Sequence, residues 1–493
     1  MTVNFPFNTG FSRGNAMLQQ KTLHGPSFPA VYASGISGAF AFAARPLALI
    51  GCLAALLAPA LWNGYAIVFY DTIGYVEAAM EMKVIPGRSL FYGLFLWISS
   101  LGWWSFWGSV LVQSLATLWL LRLLLRCHAL PSGPRPLFLS VAGLTGLTGI
   151  SWYTSQLMPD VFLPLVVLSF WLLGFHWSRL QLFERMGFGV IALLGLLSHM
   201  SCLALAMGLV LVVWAARLIC RRRPGLEISL RPPLAVVLAA LLLMPAMHLV
   251  LTGKGGYTPG GPIFLFGRLV QDGIVKRWLS EHCPSAGIKL CGLQQRLPAT
   301  ADEFLWTGQS PFQDIGGWHG GAEPEIKHLT LAAVTAYPGM TLWTTLRSTA
   351  QQALKVATGD ALHEDHSDTR GFLISFLPSI AQPFNAARQQ QEGISRDLFD
   401  LLNRVHVPIA QVSFFALLPM AVWLVRIGRP DLAALALFVL VALLGNAFIC
   451  GALSNPHDRY QSRLIWLAPL VIGMAMAACR EKRCRSHQAT LPA

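Results

Sequence analysis

An acid and a tyrosine four residues apart, Asp71 and Tyr75 in YDTIGYVEAAMEM (Tyr70–Met82), stand directly behind the first long apolar run of the chain. A carboxylate there meets the membrane surface, where a lipid-borne substrate must present its head group. It can accept or orient the proton of an incoming hydroxyl, the requirement for glycosyl transfer with inversion. The competing explanation is a helix cap, since Asp71-Thr72 ahead of Val76–Met82 makes a fair N-terminus. The placement favours an enzyme acting on a lipid-linked substrate over a pore or a scaffold.

Other groups fall at the same face. Asp160, in SQLMPDVFLPL, opens an apolar run, where an acid also suits the helix dipole; it is a candidate second acid or metal ligand. His199 interrupts LLGLLSHMSCLALA and is either a turn residue or a phosphate contact. The segment SNPHDRYQSRLIWLAPLV brings His457, Asp458, Arg459, Tyr460 and Arg463 to the start of the last apolar run. Two arginines opposite the basic face need a reason, and forked binding of phosphate supplies one. Snorkelling to lipid phosphates is the alternative. Arg88, Lys254 and Arg268 are weaker candidates for the same role, and Tyr257 joins the substrate-binding candidates. The cluster His363-Glu364-Asp365-His366-Asp368 has metal-ligand chemistry, but without a second ligand group at diagnostic spacing it reads as a hydrophilic loop. No residue is assigned as a metal ligand; no cofactor is assigned, and a divalent cation is left open. No P-loop, dinucleotide fingerprint, nucleophile elbow or zincin motif is present in the sequence, which argues against a nucleotide-driven pump or a membrane metalloprotease.

The elements that position these residues follow from hydropathy. The 493 residues are 54% hydrophobic and 12% charged, with mean hydropathy +0.54. A soluble chain carries about 25% charged residues, so the composition indicates a polytopic membrane protein. The excess of 36 Lys+Arg over 23 Asp+Glu sits in short patches beside apolar runs, as topology requires, so no nucleic-acid partner is expected. Apolar runs lie near Pro46–Phe69, Trp104–Leu125, Pro136–Tyr153, Val161–Phe175, Phe188–Leu197, Leu203–Ile219, Leu234–Leu251, Pro408–Val425, Leu432–Leu453 and Leu464–Ala478. The expectation is an all-α polytopic fold of about ten transmembrane helices. The fourth and fifth runs are short for a full span. With both ends cytoplasmic and an even count, the basic N-terminus, Arg122/Arg126/Arg135, Arg179/Arg185, Arg217/Arg221–Arg223/Arg231, Arg426/Arg429 and the C-terminal patch all fall on one side.

The resulting organisation is a cytoplasmic tail over 1–45, helices one to seven over 46–251 with a first external loop at 70–103, an external segment over 252–407 between helices seven and eight, the last three helices over 408–480, and a basic cytoplasmic tail over 481–493. The first helix reads as an uncleaved signal anchor. Ser89–Leu101 reads as a helix lying in the outer interface, with Trp97, Trp103, Trp104 and Trp107 at head-group depth. In the external segment Glu325–Ala336 and Thr341–Ala357 read as helices, FLWTGQSPFQDIGGWHGG as loop, and the whole as a mostly helical cap. Cys283 and Cys291, in HCPSAGIKLC, are expected to form a disulfide in an oxidising compartment.

Several of these motifs together resemble the C-type glycosyltransferase superfamily, in the manner of aminoarabinose transferases and protein O-mannosyltransferases. They are YDTIGYVEAAMEM followed by GRSLFYGLFLW, MPD opening the fourth run, GLLSHMSCLALA and DRYQSRLIWLAPL. The resemblance covers roughly 45–251 and 408–480. It implies sugar transfer from a polyprenyl-phosphate donor at the periplasmic face of a bacterial inner membrane, to a glycan, lipid or protein acceptor, among membrane lipids. It also gives the catalytic role of the first-loop acid to Asp71. The chain departs from the pattern at Thr72, where an acidic pair is common, and in the position of its external segment. A lipid-linked sugar flippase or transporter and a polysaccharide polymerase are the alternatives. The first would need ionisable residues at mid-depth, and the apolar runs hold few.

Overall fold

The computed structural model describes residues 46–219, 228–257, 260–318 and 321–489, with side chains to 480. The tail over 1–45 and the patch Arg221–Arg223 lie outside the described residues. Of the C-terminal tail, only the helical backbone to Ala489 is described. Among the described residues the regular structure is helical, with two isolated β-bridges and no strand. Six helices are long and apolar enough to cross a membrane: Trp107–Cys127, Met200–Ile219, Arg231–Thr252, Arg396–Arg426, Pro430–Leu453 and Asp458–Arg480. Pro46–Leu56, Leu90–Ser99 and Pro159–Phe175 are shorter apolar helices.

Four of the expected runs differ in ways that backbone chemistry explains. Pro46–Phe69 is not one helix. Its helix stops at Leu56 and a short turn of helix covers Ala58–Asn63. Pro59 has no N–H for the carbonyl of Ala55, and Gly64 ends the turn in the left-handed conformation. Pro136–Tyr153 divides into Pro134–Leu147 and Ile150–Ser155. The run at Phe188–Leu197 extends back to Leu182, where Glu184 accepts from the backbone N–H of Gln181 at 2.9 Å and from Arg126. The last run breaks at Trp466, because Pro469 cannot bond to the carbonyl of Ile465.

The boundary expected at Val407 is not a break. Arg396–Arg426 is one helix of 31 residues, about 46 Å long against a hydrocarbon core of about 30 Å. The segment over 252–407 itself divides between two cores. Ile263, Phe266, Trp278, Phe304, Phe312 and Ile326 belong to a core of its own. Val356, Leu373, Ile380 and Phe399 pack instead into the core of the membrane part. Helices Glu323–Ala336 and Pro338–Leu354 occur close to where periodicity placed them. FLWTGQSPFQDIGGWHGG, expected as loop, contains helices Ala301–Trp306 and Pro311–Asp314. Caps at Thr300 and Ser310 start them, and fully buried Phe304 and Phe312 hold them down.

Cys283 and Cys291 are joined in a disulfide, with their Cα atoms 5.5 Å apart. Leu90–Ser99 forms the expected short helix, and Trp97 and Trp104 on or beside it are exposed. That helix crosses Thr72–Glu81 at Gly93. A Cβ there would lie 2.1 Å from the carbonyl oxygen of Tyr75, so only glycine permits the contact.

Candidate functional site

Two chain segments far apart in sequence are zipped together to make the site. After the turn at Asn63 the backbone runs extended, and Ile67 donates to Ser155 at 3.0 Å while Leu157 donates to Ile67 at 2.9 Å. The side chain of Gln389 brackets Val68, accepting from its N–H and donating to its carbonyl, each at 3.0 Å. Gln113 donates to the carbonyls of Thr154 and Gln156 and accepts from the Tyr92 hydroxyl. Thr72 is structural. Its hydroxyl accepts from Phe69 N and donates to the Leu157 carbonyl. This pairing carries Asp71 and Asp160 to the same end of the helices.

Asp71 does not cap the helix that follows it, since its side chain bonds to no backbone N–H there. One oxygen is held by Arg88 and the other lies 3.4 Å from Arg459 Nη1. Arg88 reaches across the helix because residue 74 is glycine, where a Cβ would lie 2.6 Å from Arg88 Cγ. All three side chains keep some solvent contact, at 16%, 18% and 14% exposure. Arg459 lies over the Phe69 ring at 4.4 Å and beside the Tyr460 ring at 5.1 Å. Its backbone N–H donates to Asp360 at 3.1 Å.

Asp160 is buried at the start of its helix and accepts from Arg463 at 2.8 Å, with side-chain exposures of 2% and 0%. Arg463 also donates to the Ser201 hydroxyl at 3.0 Å. That hydroxyl sits 2.7 Å from His199 Nδ1, which accepts from Ser201 N as well. The relay from Arg463 through Ser201 fixes an unprotonated Nδ1, leaving the proton of neutral His199 on Nε2. The Tyr460 ring joins the two ion pairs, with the Arg463 guanidinium 5.3 Å from its centre. Tyr75 is buried edge-on against Tyr92 at 5.0 Å. Burial, reinforced by the neighbouring Asp71 charge, raises its phenol well above the usual value, so it remains a hydrogen-bond donor.

The structure thus brings together Asp71, Tyr75, Arg88, Asp160, His199, Arg459, Tyr460 and Arg463. His457 stands beside them, 3.2 Å from Asp302 and 3.7 Å from Asp360. Burial works against the Asp302 charge, yet His457 and Asn455 hold its carboxyl below the usual range. Lys254 and Tyr257 are not brought in. Lys254 is exposed in the turn after Arg231–Thr252, and Tyr257 donates back to the Leu241 carbonyl at 3.1 Å. Arg268 is tied to Asp272 and Ser348, each at 2.5 Å. The loop reading of His363–Asp368 holds in part. The chain there is irregular up to Ser367, but Glu364 accepts from the Tyr70 hydroxyl at 2.7 Å and His366 stacks on the Tyr70 ring.

Ser201, Phe69, Trp306, Asp302 and Asp360 were missed by sequence reasoning; only Ser201 and Phe69, two residues from His199 and Asp71 respectively, offered a local signal. Among the described residues no group of three His, Cys, Asp or Glu could hold a metal ion. Asp71 and Asp160 are both engaged by guanidinium groups, so they do not fit a divalent cation. Three arginines face two carboxylates, a formal balance of 3 − 2 = +1, and such a balance suits an anion. No family model, curated protein or solved structure matches this chain.

Proposed function

We propose that this chain is an integral-membrane glycosyltransferase that takes a sugar from a polyprenyl-phosphate donor at the periplasmic face of a bacterial inner membrane. The acceptor is an envelope glycan, lipid or protein. The observation that carries this reading is Asp71 held between Arg88 and Arg459 with a guanidinium in excess. The donor phosphate competes with Asp71 for Arg459, the looser of the two partners, and frees a carboxylate oxygen. The acceptor hydroxyl then gives its proton to Asp71 as its oxygen bonds to the anomeric carbon. The bond from that carbon to the phosphate oxygen breaks, and its electron pair leaves on the polyprenyl phosphate, which the arginines retain. One direct displacement inverts the anomeric centre.

The test is sugar transfer by the purified protein in nanodiscs, supplied with a series of polyprenyl-phosphate sugars. Transfer with release of polyprenyl phosphate is expected. Arg459→Ala should raise the donor KM by about ten- to a hundredfold, the loss of a charge-assisted hydrogen bond. No transfer from any donor, together with movement of lipid-linked sugar across vesicles, would instead establish the transporter.

The ten-span topology with an external 252–407 belongs to the same proposal. Reporter fusions at Gly260 and Arg483 are expected on opposite sides of the membrane, because the basic patches then all lie inside. Reporters on one side would overturn it.

A further inference from the structure

A cleft of about 610 Å³ opens between the external segment and the last turn before Asp458, within the size range of small-ligand sites. Its lining is polar and mixed. Gln271, Gln351 and Asn455 bring amides, Thr300 a hydroxyl, and Lys355 and Asp302 one charge of each sign. Several of these groups have unused capacity. Among the described residues neither the Gln351 amide nor the Lys355 ammonium bonds to protein. Gln271 spends only its oxygen, on the N–H of Ala301, and Asn455 only its NH₂, on Asp302 and His457.

A narrower hollow of about 40 Å³ shares Asp302, Asn455 and His457 with the cleft and runs on to Trp306 and Tyr460. At that inner end the guanidinium of Arg88 lies 6.0 Å from the Trp306 ring and that of Arg459 lies 5.1 Å from the Tyr460 ring. The inner end of this hollow is therefore lined by two rings that the arginines holding Asp71 approach from the other side of the lining. Trp306 is 51% exposed and stacks on Trp318, with 5.2 Å between the ring centres.

A mixture of donors and acceptors, one charge of each sign, and an aromatic ring at the inner end together suit a neutral polyhydroxylated chain. They suit neither a phosphate nor an acyl tail. We propose that this cleft binds a neutral oligosaccharide; resting on the glycosyltransferase reading, that oligosaccharide is the acceptor, its terminal hydroxyl directed past Trp306 to Asp71.

The experiment titrates the full-length protein in nanodiscs with neutral, N-acetylated and uronic-acid oligosaccharides, and measures transfer in parallel. Neutral or N-acetylated chains are expected to bind the parent and Asp71→Asn alike. Gln351→Ala with Lys355→Ala, both at exposed positions, should weaken binding about tenfold, the worth of one or two hydrogen bonds. Gln351→Trp should narrow the cleft and weaken binding further. No neutral chain bound by the parent, binding of uronic-acid chains only, or undiminished binding by Gln351→Trp would each overturn the proposal. Binding that behaves as expected without transfer from any donor would sink the glycosyltransferase reading while the cleft stands. Transfer that persists in Gln351→Trp with an unchanged acceptor KM would remove the cleft and leave that reading intact.

Discussion

Asp71→Asn is expected to lower sugar transfer by about two to four orders of magnitude, the usual contribution of a positioned acid–base group, while leaving donor affinity equal to the parent's or higher. The second half of that expectation comes from the ion pairs. In the proposed reaction the donor phosphate competes with Asp71 for Arg459, one of the two arginines that hold it, so neutralising Asp71 changes the balance of the five groups from +1 to +2. A residue that only bound the donor would lose affinity on the same substitution. Some stability cost is expected, because the side chains of Asp71, Arg88 and Arg459 are only 16%, 18% and 14% exposed and the substitution removes the counter-ion of two guanidinium groups. No helix cap is lost, since the Asp71 side chain caps nothing. Steady-state transfer with the donor varied separates kcat from KM, and thermal unfolding controls for folding. A folded Asp71→Asn protein with the parent's turnover would leave the proposed reaction without its base.

How much of this site the sequence announced depended on local contrast. Asp71, Asp160, His199, Arg459 and Arg463 were legible because an ionisable group at the edge of a long apolar run stands out against it. Their pairings were not. Arg88 pairs with Asp71 through a gap that exists only because residue 74 is glycine, and Asp160 meets Arg463 across some three hundred residues. The parallel pairing of Ile67 with Gln156, which sets both acids at one end, spans too few residues to give a periodic signal. Lys254 and Tyr257 show the converse. They stand near the membrane boundary in sequence, yet one points to solvent and the other bonds back to its own preceding helix. The boundary expected at Val407 falls inside a helix. Hydropathy changes along Arg396–Arg426 while its backbone hydrogen bonds run on, so a change in composition there does not end the element. The break at Leu57 was readable after the fact, since Pro59 sits inside the apolar run.

Asp160 and Arg463 carry the largest expected effect on stability. Their side chains are 2% and 0% exposed, with 2.8 Å between the bonded atoms. Asp160 Oδ2 and Arg463 Nε find no partner in the protein. A buried pair is weak support for a fold as a whole, but removing one member strands the other charge. Arg463→Met should therefore cost about 3–5 kcal/mol, read as a large fall in unfolding temperature in the same nanodiscs. Asp160→Asn alone should cost a comparable amount, because the Arg463 charge then lacks its counter-ion. The double variant Asp160→Asn/Arg463→Met removes both charges and should recover most of the loss, since uncharged groups of similar volume commonly replace buried ion pairs at little cost. Additive losses in the double variant would show that the two side chains do not share one interaction. Arg463 also anchors Ser201 and through it His199. A stable double variant separates this anchoring from the support of the fold. Full transfer activity would mean the pair serves the fold alone, whereas a stable but inactive protein would place Arg463 in the reaction as the residue that orients His199.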